Sequence, residues 1–277
     1  MIRPPNDLFL RENFCCGRAF PLLWNTVGKT GRKRSDAHKT ETSRFTETAN
    51  LNMCGRFSLA TSKEKLQKQL PFLEVAETLR VSYNIAPTQH AYVLTNDHPE
   101  RLQYITWGLV PHWSNDGKNT GRLINARREG IESKPSFRIP VRKRRCLVPA
   151  DSFYEWRREG TKKIPYRIFL KNGDLMLIAG VWDVWYSGDY GLKTFSIITT
   201  DANAEVASVH NRMPVILTNE DDQRRWLESE DLDEVLGILR TPPDHIINMY
   251  RVADLVNSVA NNSPELHLEV PEPPTLF

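Results

Sequence analysis

Two patterns divide this chain. Over residues 28–52 the apolar positions show no periodicity, and Lys, Arg, Ser, Thr and Glu dominate. Such a segment has too little to bury to fold by itself. From Met53 the pattern turns globular. Leu66 and Leu70 share one face of a predicted helix over 62–70, with Ser62 as its cap. Short β-branched and aromatic runs predict strands at 91–95, 102–107, 166–170, 175–182 and 194–200. Residues 81–88, ending in Ala86-Pro87-Thr88, read as a loop. Thr218 opens a predicted helix with acids at 220–222, running to about residue 228, and another spans 231–240 and stops before Pro242-Pro243. Strands outnumber helices and do not alternate with them, which disfavours a doubly wound parallel sheet.

Composition narrows the class. The 277 residues suffice for one large domain or two small ones. No run of eighteen apolar residues occurs, so no membrane-spanning helix is expected. The four cysteines, Cys15, Cys16, Cys54 and Cys146, form no C-x-x-C pair and are too few for a disulfide framework. A reducing compartment is expected, with no zinc site and no cofactor. Residues 1–52 hold 9 of the 37 Lys/Arg and 5 of the 34 Asp/Glu, leaving 28 and 29 from Met53 onward. The body is close to neutral, so affinity for nucleic acid has to come from a local cationic patch.

Met53-Cys54-Gly55-Arg56 reads like the start of a protein. Met before the small residue Cys is the kind that is trimmed. Trimming leaves Cys54 with a free α-amine and a free thiol, a 1,2-aminothiol that closes on an aldehyde to a thiazolidine. Residues 1–52 are expected to be a disordered leader, a propeptide or upstream sequence ahead of the true start. A transit peptide fits less well, given five acids and no clear amphipathic helix.

Further short sequences stand out: Tyr83-Asn84-Ile85-Ala86-Pro87, Trp107-Gly108-Leu109-Val110-Pro111, Ile124-Asn125-Ala126-Arg127, Cys146-Leu147-Val148-Pro149-Ala150-Asp151, Phe153-Tyr154-Glu155-Trp156 and Val209-His210-Asn211-Arg212-Met213-Pro214. In this order, behind Met53, they resemble the SRAP (SOS response-associated peptidase) family of abasic-site processing proteins. The resemblance implies an α+β fold: one domain over 53–270 with a bifurcated, barrel-like, mostly antiparallel sheet core and flanking helices, then a Pro-rich tail over 271–277. It also implies a monomer that crosslinks covalently to abasic sites in single-stranded DNA, with associated lyase or peptidase activity. The expected location is the bacterial cytoplasm, with the nucleoid, or a eukaryotic nucleus.

The residues make chemical sense of that reading, and each has a plainer alternative. The α-amine of Cys54 has a reference pKa near 8, so more of it is unprotonated at neutrality than a lysine. Alternatively, Cys54 is a small buried apolar residue. Glu155, among aromatic residues, would have a raised pKa and shuttle protons, or form a salt bridge facing outward while Trp156 faces in. His210 would act as general acid, or be structural. Asn125 would orient the reacting groups, or shape a turn. Arg56 and Arg127 would clamp phosphates, or be solvated at the surface. Trp107 and Pro87 would stack on and wedge the strand, or pack in the core; Asn84 and Thr199 would add polar contacts to DNA. His90, His98, His112, His245 and His267 read as surface residues, and Arg142-Lys143-Arg144-Arg145 as a solvated basic edge. Lys134 stands where relatives of the family place an Arg, and lacks its bidentate fork. Two competing functions remain: a cysteine-type (auto)peptidase and a non-catalytic single-strand binder.

Overall fold

A computed structural model describes residues 54–74, 79–119 and 121–271. The expected leader over 1–52 and nearly all of the Pro-rich tail lie outside the described residues.

The chain runs β1 (Phe57–Leu59), α1 (Lys63–Gln69), β2 (Ser82–Ile85), β3 (His90–Thr95), β4 (His98–Trp107), β5 (Asn125–Arg127) and α2 (Pro140–Lys143). It continues through β6 (Arg145–Ala150), β7 (Ser152–Glu159), β8 (Lys162–Leu170), β9 (Met176–Ser187), β10 (Tyr190–Asp201) and β11 (Arg212–Pro214). Helices α3 (Glu220–Glu228) and α4 (Leu232–Ile238) and strand β12 (Ile247–Arg251) follow. One sheet closes on itself: β10 pairs β4, β4 pairs β3, β3 pairs β6, β6 pairs β9, and β9 returns to β10. Only the β10–β4 contact in this five-stranded ring is parallel. Closure removes the exposed edges an open sheet would present. Outside the ring, β5 and β11 attach to β10, and a separate antiparallel sheet runs β12-β8-β7-β1-β2. The expected α+β fold, with a barrel-like, divided sheet core and few helices, is the fold observed.

The predicted helices form, with exact ends set by their caps. Ser62 accepts from the backbone N–H of Lys65, and Asp231 from that of Asp233. Helix α3 is capped by Asn219, one residue after the expected Thr218, because Asn219 Oδ1 accepts from the Asp222 N–H. The five predicted strands are present and mostly longer. Residues 82–85, read as loop, form β2 against β1. Strands β6 and β8 carry Pro149 and Pro165, which weaken a strand pattern. Pro149 pairs with β9 beyond the last β3 partner, and Pro165 pairs with β7 just beyond the last β12 partner, so neither missing N–H breaks a ladder on both sides.

The basic run at 142–145 is a solvated edge only in its first half: Arg142 and Lys143 are exposed, whereas Arg144 is half-buried and Arg145 is buried. Arg145 is only 3 % exposed and has no carboxylate among its hydrogen-bond partners. Its guanidinium donates to the carbonyls of Val141 and Arg142 in α2 and to those of Trp226, Leu227 and Ser229 at the end of α3. One cation thus satisfies the C-terminal carbonyls of two helices and their negative dipole ends. Arg144 is bound to the buried carboxylate of Asp183, and Arg142 donates to the carbonyls of Glu132 and Arg138. Replacing Arg145 by Met leaves these carbonyls buried without donors. We expect R145M to lower the unfolding free energy by about 3 kcal/mol, measured by urea denaturation. R145K should recover only part of it, since an ammonium cannot span both helix ends.

Candidate active site

Four of the residues expected to carry chemistry meet where the barrel faces the second sheet. Strand β1 lies between β2 and β7, with Phe57 opposite Phe153, and the Tyr154 N–H donates to the Arg56 carbonyl at 2.9 Å. This register brings Cys54, three residues ahead of β1, beside Glu155 on β7. From the barrel side, β5 runs parallel to β10 with Asn125 beside Ile197. Asn125 Nδ2 donates to the Cys54 carbonyl at 3.0 Å. His210 follows the 3-10 turn Val206–Ser208, and its Nδ1 lies 3.9 Å from Glu155 Oε1.

Burial dominates the electrostatics. Cys54 is 1 % exposed and Glu155 4 %. Burial pushes the Glu155 carboxyl up to about 8 from its ordinary 4.5, opposed by the backbone N–H groups of Trp156 and Cys54. The Cys54 thiol is pushed well above its usual range by burial, then by the charge of Glu155, against a backbone hydrogen bond from Arg56. Two buried acceptors, Glu155 Oε1 and Asn125 Oδ1, have no hydrogen-bond partner. A group that brings N–H or O–H donors gains most here. Glu155 does not face outward; Trp156 is the half-buried residue, with its Nε1 donating to Asn257.

His210 is held by its own loop. Its N–H donates to the Val206 carbonyl at 2.9 Å, and the Arg212 N–H donates to Nδ1 at 3.1 Å. Nδ1 also lies 3.3 Å from the Arg212 carbonyl, so the Arg212 backbone fixes the orientation of the ring. Arg212, whose role sequence reasoning missed, is the keystone of this loop. Its nearly buried guanidinium donates to both Glu129 oxygens at 3.0 Å, to Asp201 at 2.7 Å and to the Thr199 carbonyl at 2.7 Å. The fragment around His210 held that signal, since an Arg two residues from the histidine has to be placed somewhere.

The six residues expected to contact DNA divide. Arg127 is exposed and Pro87 partly so. Arg56 is half-buried, donates to Asn84 Oδ1 and to the Val256 carbonyl, and lies over the Trp156 ring. Asn84 is buried, with Nδ2 directed at the carbonyls of Val256, Ser258 and Asn261. Trp107 is fully buried between Phe57 and Phe195, its Nε1 donating to the Ile124 carbonyl. Thr199 is fully buried on β10. Contact from the side chains of Asn84, Trp107 or Thr199 to DNA would require the residues above them to move. Lys134 donates to the carbonyls of Arg127 and Glu129, so it braces the segment that presents Arg127.

Two other histidines are not plain surface residues. His267 is half-buried and meets Ser58 Oγ at 3.2 Å, and its pKa falls to about 4 through burial and then Arg167, against the pull of Asp151. His112 Nδ1 lies 2.9 Å from the buried Asp183 carboxylate. Among the described residues no group of three or more His, Cys, Asp or Glu side chains is arranged to hold a metal ion.

A Cys–Asn–Glu–His cluster between a closed barrel and an antiparallel sheet, with Cys54 and Glu155 buried and Asn125 and His210 half-buried, defines the class. Residues 53–259 match the family described as SOS response associated peptidase (SRAP), and this chain belongs to that family. It is 43 % identical over 222 residues to abasic site processing protein YoqW of Bacillus subtilis (strain 168), an alignment covering 77 % of this chain and 98 % of the relative. It is 31 % identical over 259 residues to abasic site processing protein HMCES of Gallus gallus, covering 77 % and 76 %. An X-ray structure of a protein from Bacteroides thetaiotaomicron matches with a TM-score of 0.70 at 28 % identity, covering 78 % of this chain and 100 % of the other.

The Glu155 carboxyl makes stability depend on pH. The folded chain keeps this proton up to about pH 8, whereas the ordinary carboxyl loses it near 4.5. Between those values the folded state binds more protons, so the contribution of Glu155 to stability falls as pH rises through the window. We expect urea midpoints from about pH 5 to about pH 9 to decline more steeply for the wild type than for E155Q. The difference should reach a few kcal/mol at most, and parallel curves would show that Glu155 ionises normally in the folded state.

Proposed function

We propose that this chain processes abasic sites in single-stranded DNA by covalent capture at Cys54, once Cys54 is the first residue. The observation that carries the reading is the Cys54 backbone nitrogen on the Glu155 carboxyl, whose pKa of about 8 matches that of a free α-amine. The names of the relatives support the substrate class, and the family match beginning at Met53 supports Cys54 as the functional start.

The chemistry then follows the geometry. With Met53 attached, the Cys54 nitrogen is an amide and not a nucleophile. Freed, its ammonium gives a proton to the Glu155 carboxylate, and the amine attacks the aldehyde carbon of the ring-opened sugar. The carbinolamine takes a proton on its hydroxyl from Glu155 or His210 and loses water to form the imine. The Cys54 sulfur adds to the imine carbon, and the thiol proton ends on the nitrogen. The five-membered ring closes, with one water released overall. Both nucleophiles belong to one residue, so the second bond forms at high effective concentration. The raised thiol pKa keeps sulfur protonated, so amine attack comes first. Asn125 fixes the Cys54 carbonyl and offers Oδ1 to a sugar hydroxyl or to the N–H of the protonated imine. A buried site of this kind favours single strands, because a duplex would have to extrude the sugar first.

A second reading, self-cleavage ahead of Cys54, is favoured by the family description as peptidases and by the Cys54 N–H lying on Glu155. Intact-mass analysis of the purified 277-residue chain and of C54A separates the two. A shortened wild type beside an uncut C54A supports self-cleavage, and the same chain length in both opposes it.

For capture itself, protein beginning at Cys54 is incubated with abasic single-stranded DNA and heated. We expect a heat-stable adduct, none with C54A or with uncut chain, and formation slowed about 100-fold by E155Q. Borohydride should trap the imine in the Cys54-first protein. An adduct that persists in C54A, or no adduct from the Cys54-first protein, removes the proposal. Binding without any trapped imine leaves a non-catalytic single-strand binder.

A further inference from the structure

A groove whose lining includes none of Cys54, Asn125, Glu155 and His210 has the chemistry of a peptide-docking surface. It has a volume of about 670 Å³ and lies between the end of α1, the β3–β4 turn and the outer face of α3. Leu70, Leu147 and Leu227 line it and Phe72 lies at its side, 58 % exposed. An aromatic side chain left this exposed beside buried leucines is what a partner's apolar residue can cover.

The charges indicate which partner. Glu100, Glu220, Asp221 and Glu228 also line the groove, and the one cation among its lining residues is Arg224. Arg224 is engaged with Asp221 at 2.7 Å and Glu228 at 3.5 Å, so it offsets part of the acidic charge without opposing a ligand's cation. Phosphate and anionic lipid are repelled by this rim. A segment carrying Lys or Arg on either side of apolar residues satisfies both rim and floor. The floor is also preformed. Gln69 donates to the Leu175 carbonyl at 2.8 Å and accepts from its N–H at 2.7 Å, and Trp226 of α3 donates to the Cys146 carbonyl on β6.

We propose that this groove docks a basic amphipathic segment of a partner protein. The position leaves the Cys54 site open. Leu147 belongs to β6, whereas Asn125 is attached through β5 to β10, and β6 and β10 are not neighbours in the ring. The proposal does not depend on the DNA chemistry above.

The test uses an array of short amphipathic peptides in which the apolar anchor and the flanking charge vary independently. The wild type, Phe72→Ala and the double variant Glu100→Lys/Glu228→Lys are applied, each checked for an unchanged melting temperature. The expected result is retention by peptides with Lys or Arg flanking an aromatic or aliphatic anchor, with affinities in the micromolar range confirmed by fluorescence anisotropy. Each variant should weaken retention about tenfold. No retained peptide, equal retention of acidic peptides, or retention indifferent to both variants overturns the proposal. So does a wild type that sediments as a dimer and a Phe72→Ala variant that does not, since a second copy then covers the groove.

Discussion

The burial of one carboxyl group organises the site. Glu155 sits on a strand with both faces covered, and the N–H groups that reach it are those of Trp156 and Cys54. Water would hold an ordinary carboxylate charged at neutrality; here two backbone donors offset only part of the lost hydration. The group is therefore poised between charged and neutral, and it makes the Cys54 thiol harder to ionise. Other features serve to keep this arrangement in place. The β1–β7 register sets the approach of Cys54, and Asn125 holds its carbonyl.

The site needs both sheets. Cys54 and Glu155 come from the antiparallel sheet, whereas Asn125 and His210 come from short attachments to β10 of the barrel. Strand β10 takes part in both: it closes the barrel through β4 and β9, and it carries β5 and β11 beyond the ring. The Thr199 carbonyl on β10 accepts from the Arg128 N–H and the Arg212 guanidinium, so the segments after Asn125 and after His210 are tied to one point. A shift of β10 would displace two of the four residues together.

Most of the fold class and the four-residue cluster could be read from the chain, and the failures share a physical cause. Strands with alternating or β-branched patterns were legible, such as β3 and β10. Strand β6 was not: it is buried at every position, so it has no period, and Pro149 argues against it. Residues 82–85 read as loop because Ser, Tyr and Asn carry no clear pattern, and their strand character comes from pairing with β1. Side-chain roles fared less evenly. Four adjacent cations at 142–145 look solvated in one dimension, and nothing local says that two helix ends will converge on Arg145. Asn84, Trp107 and Thr199 carry polar or aromatic groups suited to DNA, but all three are buried, Asn84 against the Asn261 carbonyl and Trp107 between Phe57 and Phe195, contacts that nothing local announces.

The engagement of Arg144 and Arg145 inside the fold narrows where an anionic strand can be attracted. From Met53 the chain is nearly neutral, so local geometry decides. Just beyond Glu155 on the same strand, exposed Arg158 stands opposite exposed Lys163, while Glu159 faces Lys162. Like charges directly opposite across a ladder repel, and an anion lying over them relieves that repulsion at the same time as it gains attraction. The hairpin joining β7 to β8 therefore holds its cations at a standing cost that a phosphate backbone can offset. Arg142, Arg144 and Arg145 are already engaged with carbonyls or Asp183 and would have to give up those partners first, which leaves Lys143 as the exposed cation of that run. On the proposed reading, the strand that carries the proton-transfer group also carries this cationic pair, three residues on and on the opposite face of the sheet.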